Sequence, residues 1–238
     1  MSFRHSLTII ASPRPSVGKT LVARLLTEFH RHEGRPVTAF DLNSGEGTLA
    51  QFLPEYAKIS EIGDIKGQMA LFDRLIADDG ATKIVDLGHQ AFETFVTVAS
   101  RIGFATEARR RGIAPAILFV IGPDRTSVEA YRGLRSRLPQ AVLAPLLNER
   151  LGSAQHRDKY PIKGSGAALV RIPALAPGLR RYIDKPPFSF SDTRLANARD
   201  IPLDVQIELQ RWLRKIYLEF REHELRILLA DLQSSIRL

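Results

Sequence analysis

Apolar residues fall along this chain in two rhythms that take turns. Leu7-Thr8-Ile9-Ile10-Ala11 is a short apolar run ending in a loop, which predicts a buried strand. Helical spacing takes over with Leu21, Leu25, Leu26 and Phe29, so a helix starts inside Gly18-Lys19-Thr20. Gly34 and Pro36 stop that helix after a basic last turn. Val37-Thr38-Ala39-Phe40 reads as the next strand and ends at Asp41. A strand, loop, helix and strand in this length make a βαβ unit.

The alternation continues. Helices are predicted over Met69 to Ala77, Ala91 to Ile102 and Ser127 to Leu138, the last rich in arginine. Strands are predicted over Lys83 to Leu87, Ala116 to Ile121, Ala141 to Leu147 and Val170 to Pro173. Strands apolar throughout, alternating with helices, indicate a mostly parallel twisted sheet covered on both faces. The expected fold is therefore a three-layer α/β/α arrangement. Gly152 to Gly166 reads as a polar loop and Pro186 to Ser191 as an extended connector. Val205 to Leu232 is a long helical stretch with Leu209, Leu213, Ile216, Phe220 and Ile227 near helical spacing. Residues 1–238 read as one domain, with 203–235 as a C-terminal helical extension.

Composition narrows the chemistry. The 238 residues contain no cysteine, which removes disulfides, thiolate zinc sites and cysteine nucleophiles together. His30 and His32, the nearest histidine pair, are two apart and do not share a helix face. No run of eighteen apolar residues and no signal-peptide pattern is present, and a cytoplasmic location is expected. Net charge is +8, unevenly spread. Residues 51–100 carry four Lys/Arg against eight Asp/Glu, and residues 101–200 carry eighteen against eight. Arg109, Arg110 and Arg111, with Arg132, Arg135 and Arg137, are the densest basic groups and the candidate surface for a polyanion.

Ligands in parallel α/β sheets bind beyond the carboxyl ends of the strands. Lys19, Asp41, Asp86, Asp124 and Asn148 are predicted at those ends. Gly18-Lys19-Thr20, after a strand and before a helix, suits an anion held by main-chain N–H groups at a helix N-terminus. Glycine lets the backbone approach, lysine neutralises β/γ-phosphate charge, and the threonine hydroxyl holds Mg²⁺. Asp86, and Asp41 with it, would act through metal-bound water.

Arg14-Pro15-Ser16-Val17-Gly18-Lys19-Thr20 resembles the Lys-Gly-Gly-Val-Gly-Lys-Thr deviant Walker A loop of the ParA/MinD partitioning and positioning ATPases, a P-loop family. The resemblance extends over roughly residues 5 to 215, through Asp41, the Walker B-like Asp86, Asn148 and Ile172-Pro173. It implies ATP or ADP with Mg²⁺, a nucleotide site at residues 14–21, Asn148 on the adenine and Pro173 at the start of the base-side loop. Leu21 is the last residue of that loop segment. It further implies a nucleotide-dependent homodimer, an unidentified protein partner, and non-specific DNA binding through the basic face. Three departures stand out. Arg14 replaces the signature lysine that reaches nucleotide across the dimer, Pro15 and Ser16 replace two glycines, and Asn43 replaces an acid that activates water. Pro15 has no N–H to offer a phosphate, and Asn43 cannot take a proton near neutral pH. Glu46 lies close enough in sequence to substitute. The expectation is an ATP-dependent dimerisation switch with weak or absent hydrolysis.

Three other readings share these motifs. A pseudo-ATPase scaffold of a secretion, pilus or conjugation system would keep the fold without turnover. A MinD-like membrane-positioning protein would use the C-terminal helix, yet residues 201–238 balance at zero charge and Leu225 to Leu238 lacks a strong basic face. A dethiobiotin-synthetase-like ligase needs a substrate lysine after the second strand, where Asp41-Leu42-Asn43-Ser44 offers none.

Overall fold

The computed structural model describes residues 5–43, 45, 48–152, 158–162, 167–191 and 201–236. Seven strands form one sheet: β1 (His5–Ala11), β2 (Val37–Asp41), β3 (Ala57–Ile59), β4 (Thr82–Asp86), β5 (Ile113–Val120), β6 (Val142–Asn148) and β7 (Val170–Ile172). Their order is β3-β2-β4-β1-β5-β6-β7, and every neighbouring pair is parallel. The chain leaves β1 towards the β3 edge, returns through β4, and then builds out to β7. This reversal puts β1 at the switch point where ligands gather.

Both faces are buried, which explains the unbroken apolar strands. Ile9, Val85, Ile117 and Phe119 face a core closed by α3 (Ile65–Leu75), α4 (Phe92–Arg101), α5 (Phe104–Arg110) and α6 (Arg125–Arg137). Ile10, Ile84, Leu118 and Val120 face the other core, under α1 (Lys19–His32), α2 (Leu49–Phe52), α7 (Pro177–Ile183) and α8 (Leu203–Ile236). The expected three-layer α/β/α sandwich is what the chain forms.

Several boundaries differ from the sequence reading. The helix expected to end at Ile102 is followed by a second one, because Gly103 at φ 63° turns the chain before α5. β5 starts at Ile113, three residues early, and includes Pro115. Pro115 pairs with Leu7 of β1, while pairing to β6 begins only at Ala116, so proline is tolerated there. α3 starts at Ile65, where the Asp64 carboxylate accepts from Gly67 N at 2.6 Å. Short β3 and α2 had no apolar run to announce them, although Thr48 and Gln51 form a capping box.

α8, 34 residues and about 50 Å long, lies against α1 and β7. Two histidines are buried in this packing. His30 is held down to about 3, first by burial and then by the Arg35 charge, which together outweigh Glu224 at 3.8 Å. His223 is held down to about 4 by burial and Arg226. Both are neutral in the fold and take up protons when unfolded. Their contribution is therefore complete above pH 6.5 and shrinks as pH falls towards 4. The raised Asp86 carboxyl shifts stability the opposite way over the same range, so the histidine effect is read by difference: between pH 7.5 and pH 5 the urea-derived stability of the wild type should fall by about 2 kcal/mol more than that of His223→Gln. An equal fall in the two proteins counts against this account.

Candidate functional site

The loop Ser12–Gly18 joins the central strand β1 to α1. Its shape follows from its prolines. Pro15 presets the second position of a turn, and Ser16 takes the third at φ 57°, a conformation that favours glycine. Gly18 follows at φ 94°, and a Cβ there would lie 2.6 Å from Asn148 Nδ2. Val17 and Leu21 pack half-buried on the core beneath, while Pro15 is exposed.

Above this loop the N-terminus of α1 is uncompensated. Asp64 and Asp124 cap α3 and α6, but among the described residues α1 has no side-chain cap and no acid in its first turn. A helix start without a counter-charge suits an anion. Lys19 adds a cation at the same point. It is 6% exposed, and its Nζ donates to the Arg14 carbonyl at 2.6 Å. Burial lowers its pKa, and the Asp86 charge opposes that shift.

Thr20 Oγ1 donates to Asp86 Oδ2 at 2.7 Å. The second carboxylate oxygen, Oδ1, is buried with no partner among the described residues. Burial pushes the Asp86 carboxyl up to about 7, helped by the Asp41 charge and opposed by Thr20, Lys19 and Asn43. An orphaned buried carboxylate oxygen beside a threonine hydroxyl fits a hard divalent cation with oxygen ligands. No group of three His/Asp/Glu among the described residues could hold a metal alone.

Asp41 and Asp86 are register partners at the ends of β2 and β4. Asp41 is spoken for by protein donors: Oδ1 accepts from Asn43 N and Nδ2, each at 3.0 Å, and Oδ2 from Ala50 N at 2.8 Å. Asn43 Nδ2 also lies 3.3 Å from the Asp86 carbonyl. The carboxamide thus clips the two strand ends together. Gly88 closes the same corner, where a Cβ would sit 2.4 Å from the Leu42 carbonyl. Glu46 lies outside the described residues, as do 153–157 and 163–166 of the polar loop.

On the other flank, Arg14 Nη2 donates to Asp124 Oδ1 at 2.7 Å. Burial opposes the Asp124 charge, but donors on Arg14 and Ser127 outweigh it and hold the carboxyl at about 2. Asn148 Nδ2 donates to the Val17 carbonyl at 3.0 Å. Lys19, Thr20, Asp41, Asn43, Asp86, Arg14 and Asn148 therefore converge on one end of the sheet. Pro173 follows β7 at that end. Asp124, expected at a strand's carboxyl end, is there, and its ion pair with Arg14 crosses 110 residues.

The arginines lie elsewhere. α5 and α6 run back to the amino ends of β5 and β6, so Arg109, Arg110, Arg111 and Arg137 stand away from the Ser12–Gly18 loop. Several have protein partners: Arg109 with the Gln140 carbonyl, Arg111 with Glu107, Arg135 with the Pro161 carbonyl, and Arg137 with Glu93 and Thr97. Arg110 lies 3.6 Å from Glu107, and Arg132 is exposed.

No family model matches this sequence, and no curated protein matches it significantly. Solved structures do match. The MinD cell division protein of Aquifex aeolicus superposes with TM-score 0.52 at 16% identity, over 88% of this chain and 97% of that one. The fold is that of MinD. A MinC:MinD cell division protein complex from the same organism gives TM-score 0.54 at 15% identity, over 88% and 96%. The match with MinD spans nearly the whole of that chain, so the shared architecture includes most of the present sheet and its covering helices. No helix among the described residues is long and apolar enough to cross a membrane.

Proposed function

We propose that this protein binds ATP with Mg²⁺ at the Ser12–Thr20 loop and works as a nucleotide-dependent dimerisation switch that hydrolyses ATP slowly or not at all. The carrying observation is the uncapped start of α1 with Lys19 inside it and the half-satisfied Thr20–Asp86 pair beside it. Mg²⁺ bound there would neutralise negative charge on the phosphates. Thr20 and Asp86 are the residues to hold it, while Asp41 adds negative charge from behind. Lys19 exchanges the Arg14 carbonyl for a phosphate oxygen. Arg14, more exposed than Lys19, is the residue to reach a second subunit, after leaving Asp124.

Slow turnover is supported by Asn43. Its amide is committed to Asp41 and the Asp86 carbonyl, and it has no basic oxygen to take a proton from water. The expected result is Mg²⁺-dependent ATP binding near one per chain, with turnover far below that of active P-loop ATPases, and a larger hydrodynamic size with ATP. Rapid turnover lost in Lys19→Ala but untouched in Asn43→Ala would sink the slow-hydrolase part. A scaffold that holds nucleotide without turnover shares these residues, and the same assay separates it.

A further inference from the structure

The C-terminal helix is built into the edge of the sheet next to the site. β7 has three residues and ends the sheet. So short an edge strand leaves main-chain groups without a neighbouring strand to pair them. α8 supplies partners instead. Glu219 Oε2 accepts from Arg171 N at 3.0 Å, and Trp212 Nε1 donates to the Pro173 carbonyl at 2.8 Å. Trp212, the one tryptophan of the chain, is 7% exposed and packs against Phe190 with ring centres 6.0 Å apart.

Position gives these two bonds their meaning. Ile172 is the register partner of Asn148, and Asn148 touches the phosphate loop at Val17 and Gly18. Pro173 therefore leaves the sheet beside that loop. Across the site, the ends of β2 and β4 are closed by the Asn43 clip and by Gly88 against Leu42. A phosphorylated ligand seated on the start of α1 has its remaining bulk on the β6–β7 side.

Resting on the nucleotide-binding reading above, we propose that Trp212 and Glu219 are positioning residues for the nucleoside half of the ligand. α8 holds the Pro173 segment in place there, while the Ser12–Gly18 loop and Lys19 hold the phosphates without it. A helix that merely extended the domain would affect both halves of the ligand alike or neither.

The test is calorimetric titration of the full chain with Mg–ADP and, separately, with Mg–tripolyphosphate, which has no nucleoside. Trp212→Phe keeps an aromatic ring on Phe190 and removes the donor. It should weaken Mg–ADP roughly fivefold, the effect of one net hydrogen bond, and leave tripolyphosphate within about twofold. Glu219→Ala, at a half-buried position, should show the same split and serves if Trp212→Phe does not fold. Equal weakening of both ligands, or no change in either, overturns the proposal. A wild-type protein that binds neither ligand overturns the nucleotide reading itself, and this inference with it.

Discussion

Lys19→Ala is expected to weaken Mg–ATP binding by about a hundredfold, while leaving the fold intact. A charged hydrogen bond to phosphate in a partly buried site contributes on the order of 3 kcal/mol, and each 1.4 kcal/mol is a factor of ten. Lys19 is the buried cation at the uncapped start of α1, so no neighbour on the loop replaces it: Arg14 is turned towards Asp124. The fold should survive because, among the described residues, the Lys19 ammonium makes one hydrogen bond, to the Arg14 carbonyl, and burial already works against its charge. Calorimetry for affinity and a thermal midpoint for stability check the two halves separately. An affinity within threefold of wild type, with the protein folded, would mean that Lys19 is a structural charge and that the loop does not hold phosphate.

Glu28→Ala is expected to cost about 3–5 kcal/mol of stability, the range for removing one partner of a buried charged cluster. Glu28 lies on α1 with no exposure. Its carboxylate accepts from Ser189 Oγ, Phe190 N, Ser191 N and Ser191 Oγ, each at 2.8 Å. One turn earlier, Arg24 sits 3.7 Å from the Phe52 ring centre and within 5.5 Å of those of Phe188 and Phe190. Its Nε and Nη2 have no partner among the described residues, and burial lowers it to about 10 against the Glu28 charge. Removing Glu28 strands these donors and leaves Arg24 short of negative charge. Urea unfolding of Glu28→Ala, with Glu28→Gln as the milder control, reads the effect. A loss below 1 kcal/mol would show that the 188–191 connector does not depend on this carboxylate.

The elements with strong periodicity were legible. β1, α1 and β2 fall where Leu7 to Asp41 placed them, because a strand buried on two faces is apolar throughout and a helix on one face repeats every three to four residues. The start of α1 at Gly18-Lys19-Thr20 was legible for the same reason, because the stripe of Leu21, Leu25 and Phe29 begins just after it. Less visible were α2, β3 and α7, four, three and seven residues long, which cannot display a period. α1 itself was half-read. Its apolar stripe was clear, but Arg24, Thr27, Glu28 and His30 are also buried. Polar residues signal solvent until something from far along the chain covers them.

By itself, then, the sequence determined the alternation of strands and helices, the parallel sheet and a helix that begins at Gly18-Lys19-Thr20. These depend on neighbours within a dozen residues, where local spacing is the physical cause. Tertiary structure decided the rest. Pairing of β2 with β4 brought Asp41 and Asp86 together and gave Asn43 the role of a clip between them. Packing of α8 on the sheet edge turned an apparent extension into the support of Pro173 through Trp212. Contacts between residues 39 to 110 positions apart leave no periodic trace, because each depends on how whole elements dock and not on the residues next in line.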